Sequence, residues 1–173
     1  MRLLALAALL LSAAACGGGD GGGGGDEDPG APLPEGVTAL GADARIALPP
    51  PQDPRCQPPS TRKVFRMDAE WEGYWTYGFE GCPRPALPTG FDWSREMLVL
   101  AAMGRRGSAA DSITVRGSGV VGDSMLIVLR RTTRQSPCSE TAVRVWPRDL
   151  VRIPVSDRPA KFVEEHVKLP CPQ

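Results

Sequence analysis

Apolar positions in the second half of the chain follow the spacing of β-strands. Residues 97–103 are continuously apolar over a short run, which predicts a central strand buried on both faces. Residues 112–116 and 142–146 alternate between apolar and polar side chains, which predicts strands with one face in water. A further buried strand is predicted at 125–129, and other strands are predicted at 62–67, 150–155 and 161–163.

One helix is predicted between the first two strands along the chain. Asp68 has a side chain suited to an N-cap, and the helix is expected to cover residues 69–79. Trp71 and Trp75 are four residues apart on one helix face, which favours packing against a sheet over a ligand-binding face. One early helix and about seven strands predict an α+β fold, in which the helix packs on a mostly antiparallel sheet.

A polar stretch at 130–140 is predicted to be a loop, because it contains Pro137 and few apolar residues. The strongest polar cluster of the domain lies in this stretch, and it consists of Arg130, Arg131 and Arg134. A solvated loop explains these arginines, and the alternative is that they contact a partner or an anion.

The first sixteen residues have the pattern of an export signal, because an apolar run at 3–15 ends in small residues before Cys16. This run is too short for a membrane span, which needs about 20 residues. The small residues before the cysteine resemble a lipobox, so we expect residues 1–15 to be removed and Cys16 to be lipidated. Ala13 and Ala15 also fit the A-x-A pattern of ordinary signal peptidase, which would release a soluble protein. Gly17 favours the outer membrane if the host has two membranes.

Charge and composition divide the mature chain into a tether and a domain. Residues 17–43 contain six acidic residues and no Lys or Arg, and residues 17–30 are mostly glycine. Such a segment cannot bury apolar surface, so residues 16–55 are predicted to form a flexible tether. Residues 56–173 are predicted to form one β-rich domain. The basic residues of this domain are spread along the chain, which does not indicate nucleic-acid binding.

Four cysteines follow the lipidation site, and an exported chain with an even number of cysteines is expected to form disulfides. The four are Cys56, Cys82, Cys138 and Cys171. Their wide spacing disfavours zinc, whose structural sites use closely spaced pairs. If the first and last strands lie antiparallel, Cys56 pairs with Cys171 and Cys82 with Cys138; three pairings are open from sequence alone.

No catalytic constellation is apparent, and we expect neither an enzyme nor a cofactor or metal site. His166 is the only histidine and lies near the chain end, which favours a surface position over a nucleophile's base. Turn and cap chemistry accounts for the carboxylates Asp92, Asp111, Asp123, Asp149 and Asp157. Residues 117–119 (Gly-Ser-Gly) lack the context of a phosphate loop, so they are predicted to form a turn.

Several segments together resemble the C-terminal domain of PrcB, the small lipoprotein subunit of a spirochaete surface protease complex. The resemblance covers about 95 residues and rests on the Trp-bearing helix and on the segments 91–99, 137–142, 146–147 and 150–162. The family usually has Gly-Gly-Tyr after its central strand, where this chain has Gly-Ser-Ala-Ala-Asp at 107–111. The resemblance implies an accessory, protein-binding role and no active site.

Two functions are therefore expected from the sequence. The first is a lipid-anchored accessory protein of the cell envelope that binds and stabilises a partner, for example an extracytoplasmic protease. The alternative is an inhibitor that inserts the loops 104–111 and 131–140 into a protease cleft.

Overall fold

The fold was examined in a computed structural model that describes residues 31–48, 53–135 and 143–171. The strands are β1 (Thr38–Ala39), β2 (Ser60–Phe65), β3 (Glu96–Met103), β4 (Ser112–Val121), β5 (Ser124–Arg134), β6 (Arg148–Pro154) and β7 (Ala160–Leu169). The helix α1 spans Asp68–Gly78, and short 3-10 turns occur at Ala42–Ala44 and Pro54–Cys56. Within the described residues, the predicted α+β class with seven strands and one helix is confirmed.

The strands form two sheets that pack face to face. The outer sheet has the order β1-β4-β5-β7 and the middle sheet has the order β2-β3-β6. All neighbouring strands are antiparallel except β5 and β7, which are parallel. Helix α1 covers the other face of the middle sheet, so the domain has three layers with the middle sheet at its centre.

Strand β3 is the centre of the middle sheet and is buried on both faces, as predicted. Met97, Val99 and Ala101 pack against the outer sheet. Leu98 and Leu100 alternate with them and pack against Trp71, Trp75 and Phe79 on the helix side. A strand between two apolar layers has no wet face, which explains its continuous run of apolar residues.

Helix α1 begins one residue earlier than predicted, and the prediction of Asp68 as the N-cap is wrong. Met67 occupies the cap position with extended backbone, and Asp68 is the first helical residue. The Glu70 carboxylate accepts a hydrogen bond of 2.7 Å from the backbone N–H of Arg66, so an acid in the first turn stabilises the helix start.

One loop prediction and one strand prediction are wrong between residues 130 and 146. Residues 130–134 are not a loop, because β5 continues to Arg134 along its parallel partner β7. The strand predicted at 142–146 does not form over residues 143–146, where Val145 makes only an isolated bridge to Arg106. Residue 142 lies outside the described residues.

The predicted tether boundary is also wrong, because residues 31–48 pack on the folded domain. Thr38 pairs with Ser118, and Ile46 is buried beneath the helix layer. A Cβ atom at Gly119 would overlap the carbonyl oxygen of Gly36, and one at Gly117 would lie 2.9 Å from Val37 Cγ1. Residues 117–119, predicted as a turn, are instead the part of β4 where missing side chains let this segment approach closely.

The cysteine pairing deduced from the sequence is wrong. Cys56 is bonded to Cys82, with 5.4 Å between their Cα atoms. The deduction required β2 and β7 to be antiparallel neighbours, but these strands belong to different sheets. Cys171 is also disulfide-bonded, whereas Cys16 and Cys138 lie outside the described residues.

Candidate partner-binding surfaces

Two bridged segments at one end of the sandwich carry three arginines. Arg106 and Val145 exchange backbone hydrogen bonds of 2.8 and 3.2 Å, and the Val143 N–H donates to Gly107 O at 3.2 Å. These contacts join the connection after β3 to the chain before β6. We call this surface the arginine end, and we define it by Arg105, Arg106 and Arg144.

Asp111 organises the connection that carries the first two arginines. Its side chain is 6% exposed and accepts a hydrogen bond of 2.9 Å from Arg106 Nε. The other carboxylate oxygen is 3.4 Å from the backbone N of Arg134, at the end of β5. A charge-assisted contact from a buried carboxylate to both the connection and the sheet restricts the conformations of residues 104–111.

Arg105 and Arg144 present their charges to solvent at this end. A pocket of about 500 Å³ lies between the two segments and is lined by Arg105, Arg106, Gly107, Val143 and Arg144. Among the described residues, no carboxylate pairs with Arg105 or Arg144. The surface therefore has unneutralised positive charge and suits an anionic group.

The three arginines predicted as partner contacts do not form one surface. Arg130 and Arg134 are four residues apart on β5 and point to the outer face of the outer sheet, whereas Arg131 points to the opposite face. Arg130 lies opposite Glu165 in the register and Arg131 lies beside Glu164. Arg134 Nη1 donates to Pro170 O at 2.9 Å. These side chains have contacts within the domain.

The outer face of the outer sheet holds the start of the described chain. Glu165 accepts a hydrogen bond of 3.0 Å from the Ala31 N–H and one of 2.7 Å from Arg116 Nη1. The Ala31 N–H, followed by Arg116 and Arg130, lowers the pKa of Glu165. Arg116 Nη1 also donates to Ala31 O at 2.7 Å, so one ion pair fixes the point where the chain reaches the domain.

A second ion pair links the two sheets where their edge strands lie side by side. Arg62 Nε on β2 is 2.6 Å from Glu164 Oε1 on β7, and the contact lowers the pKa of Glu164. His166 Nε2 is 3.4 Å from the other oxygen of this carboxylate, and its side chain is more than half exposed. The only histidine of the chain therefore lies at the surface beside an acid.

The helix layer is an aromatic cluster. Trp71 and Trp75 meet edge to face with 5.4 Å between ring centroids, and Phe65 and Tyr74 extend the cluster. Both indole N–H groups are buried without an acceptor and lie among these rings. Burial raises the pKa of Tyr74. The tryptophans pack in the core, as the spacing favoured.

No helix in the described part of the chain is long and apolar enough to cross a membrane. No group of three or more His, Cys, Asp or Glu within residues 31–48, 53–135 and 143–171 is placed to hold a metal ion.

Comparison with protein-family models, curated proteins and solved structures finds no match to this chain.

Proposed function

We propose that this chain is a lipoprotein of the cell envelope, anchored through Cys16, whose domain binds a partner protein through the arginine end. The partner is an envelope protein with an acidic surface, for example a protease that the lipoprotein stabilises. The observation that carries this proposal is the pair of outward arginines, Arg105 and Arg144, on segments that Asp111 and backbone bridges hold in place.

The arginine end suits partner binding because its backbone is already held in place, so it loses little conformational entropy when a partner binds. Arginine is enriched in the energetically important part of protein interfaces and forms bidentate contacts with carboxylates. The resemblance to the PrcB C-terminal domain, an accessory lipoprotein domain, supports the same role. No substrate chemistry is needed for it, because the proposed action is association.

The anchor is supported by the sequence alone, because Cys16 lies outside the described residues. A Cys16→Ser variant is expected to accumulate as an unprocessed precursor with residues 1–15 attached. Processing is followed by gel mobility and mass spectrometry of the membrane fraction. A normally processed, membrane-bound Cys16→Ser protein would overturn the anchor.

The alternative proposal is a protease inhibitor, and one observation favours it. The connection 104–111 is held by Asp111 and presents Arg105, an arrangement in which an exposed arginine could enter a protease cleft. Of the second loop expected to insert, residues 131–134 belong instead to β5, and residues 136–140 lie outside the described residues. Inhibition of a purified protease by the soluble domain, abolished by Arg105→Ala, would select this alternative over the accessory role.

A crosslinking pull-down from membranes tests the accessory role. The anchored protein with Arg105→Ala and Arg144→Ala is expected to recover at least about tenfold less of its main crosslinked partner, since each interface arginine contributes roughly 1–2 kcal/mol. Arg95→Ala is the matched control, because Arg95 is 84% exposed on a distant part of the surface. Equal recovery of the partner by all three proteins would refute the proposed surface.

A further inference from the structure

Strand β7 leaves a ten-residue sheet edge open. Among the described residues, β7 pairs only with β5. The outer edge of β4 is partly covered by β1 and by the Leu40 N–H, and that of β6 by Arg45 and Ile46. The free edge of β7 is therefore longer and more regular than these two, with neither proline nor a bulge within the strand.

The backbone groups on this edge can be assigned from the two ends of the β5–β7 ladder. The Met125 N–H donates to Pro159 O, and the Gln135 N–H donates to Leu169 O. In a parallel ladder, alternate residues direct both N–H and C=O to the same neighbour. Odd-numbered residues of β7 therefore face β5, and even-numbered residues direct their N–H and C=O to the free edge.

The side chains along the edge fit a second copy of the same strand. Val163 is 43% exposed on the outer face, and Val167 and Leu169 on that face are only partly buried. A long, regular strand edge with exposed apolar side chains is a template for pairing with another strand. Two copies related by a two-fold axis would meet antiparallel.

Charge and apolar matching select one register. With the axis at Glu165, Val163 of each copy faces Val167 of the other, and Glu164 faces His166. An axis at Glu164 would place Val163 opposite Glu165 and Val167 opposite Lys161, so neither valine would face an apolar side chain. An axis at His166 would place Val163 opposite Leu169, but it would also place the Glu165 carboxylate opposite the apolar Val167 and His166 opposite its own copy.

We propose that β7 pairs antiparallel with β7 of a second copy about an axis at Glu165, so that the outer sheets of two molecules join into one. The two Glu165 carboxylates would lie opposite each other, but each is already neutralised by Arg116 and the Ala31 N–H. This interface uses a different strand and different residues from the arginine end.

Cysteine pairs on the whole membrane-anchored chain test the register. In the proposed dimer, residues 163 and 167 form a non-hydrogen-bonded pair, whose Cα separation of about 4.5 Å suits a disulfide. The double variant Val163→Cys with Val167→Cys is expected to form a covalent dimer on mild oxidation. Either single variant should form no covalent dimer, since neither residue faces its own copy. No dimer from the double variant, or equal dimer from a single variant, overturns the proposal.

Sedimentation of the mature chain with Cys16→Ser provides a second measurement. His166→Pro removes an N–H from the free edge but leaves the ladder to β5, so the dimer fraction should fall to the monomer baseline. His166→Thr keeps the N–H and a strand-forming residue, and it should retain the dimer. The proposal is overturned if the unmutated chain is a monomer at all concentrations, or if its dimer is unaffected by His166→Pro. In the cysteine experiment, a crosslink from residues 163 and 167 to another protein would also overturn it and would assign the free edge to that protein.

Discussion

The two sheets share one core but meet different surroundings on their other faces. The middle sheet lies between the outer sheet and an aromatic helix layer, and its central strand is buried along almost its whole length. The other face of the outer sheet carries an ion-pair network and partly exposed valines, and its last strand has a free edge.

From this difference we expect stability and the proposed partner binding to depend on different parts of one domain. Substitutions around the middle sheet remove buried apolar area and should lower the free energy of unfolding. Substitutions at the free edge or at the arginine end remove little buried area and should alter association. The predictions below test that separation, from the largest expected effect to the smallest.

Trp71→Ala should lower the free energy of unfolding by about 3–5 kcal/mol, because it removes a fully buried side chain of the helix layer. Val163→Ala on the outer sheet should change it by less than about 1 kcal/mol. Urea unfolding of the two variants measures both values under non-associating conditions. Similar losses for the two variants would abolish the contrast between the sheets.

Replacing both cysteines of the Cys56–Cys82 disulfide by serine should lower the free energy of unfolding by about 2–4 kcal/mol. The link joins the start of β2 to the chain after α1, so it restricts the segment that covers the middle sheet. Thermal and urea unfolding provide the measurement. Peptide mapping without reduction must first recover the Cys56–Cys82 link, and a different pairing would contradict the structure.

Gly119→Ala should lower the free energy of unfolding by about 1–3 kcal/mol, because its Cβ would overlap Gly36 O in the segment that crosses the outer sheet. Limited proteolysis should then cut residues 31–40 faster. Gly78→Ala is the matched control: nothing lies within 4 Å of a Cβ there, so stability should hold or rise slightly. Equal behaviour of the two alanine variants would contradict the close approach.

Glu165 should make a small, pH-dependent contribution to stability. Its folded-state pKa lies below the ordinary value of 4.5, so its contribution is present above that pH and is lost as the pH falls through the lowered pKa. The difference in unfolding free energy between the native protein and Glu165→Gln should therefore shrink from pH 7 toward pH 3. Glu72→Gln is the control for the loss of an exposed carboxylate on α1. A pH-independent difference at Glu165 would contradict the ion pair.

The sequence predicted the parts of the fold in which each residue's environment follows from its neighbours along the chain. Residues 97–103 lie between two apolar layers, and their unbroken apolar run indicated this. Trp71 and Trp75 lie on the helix face that packs on the middle sheet. These elements were found because burial there depends on local spacing.

The remaining features depend on contacts between distant segments. Residues 130–134 are polar and yet form a strand, because Glu164 and Glu165 on the parallel strand β7 lie beside Arg131 and Arg130. The two-residue strand β1 is too short to produce a pattern, and the cysteine pairing depended on which sheet holds each strand.

The arginine end was missed for the same reason. Its members Arg105 and Arg144 are far apart in the sequence and meet only through the bridge between Arg106 and Val145. The pair Arg105-Arg106 directly after a buried strand was a signal that could have indicated it. Of the predicted contacts Arg130, Arg131 and Arg134, which are close in sequence, Arg131 lies on the opposite face of the sheet from the other two.

Site-specific photocrosslinking on the membrane-anchored protein tests most directly the claim that recognition and stability reside in different regions. A photoreactive residue at position 105 is placed on the arginine end, and one at position 77 replaces Tyr77, which is 89% exposed on the helix layer. We predict one dominant protein adduct from position 105 and none of comparable yield from position 77. The same adduct in equal yield from both positions, or from position 77 alone, would contradict the assignment of partner binding to the arginine end.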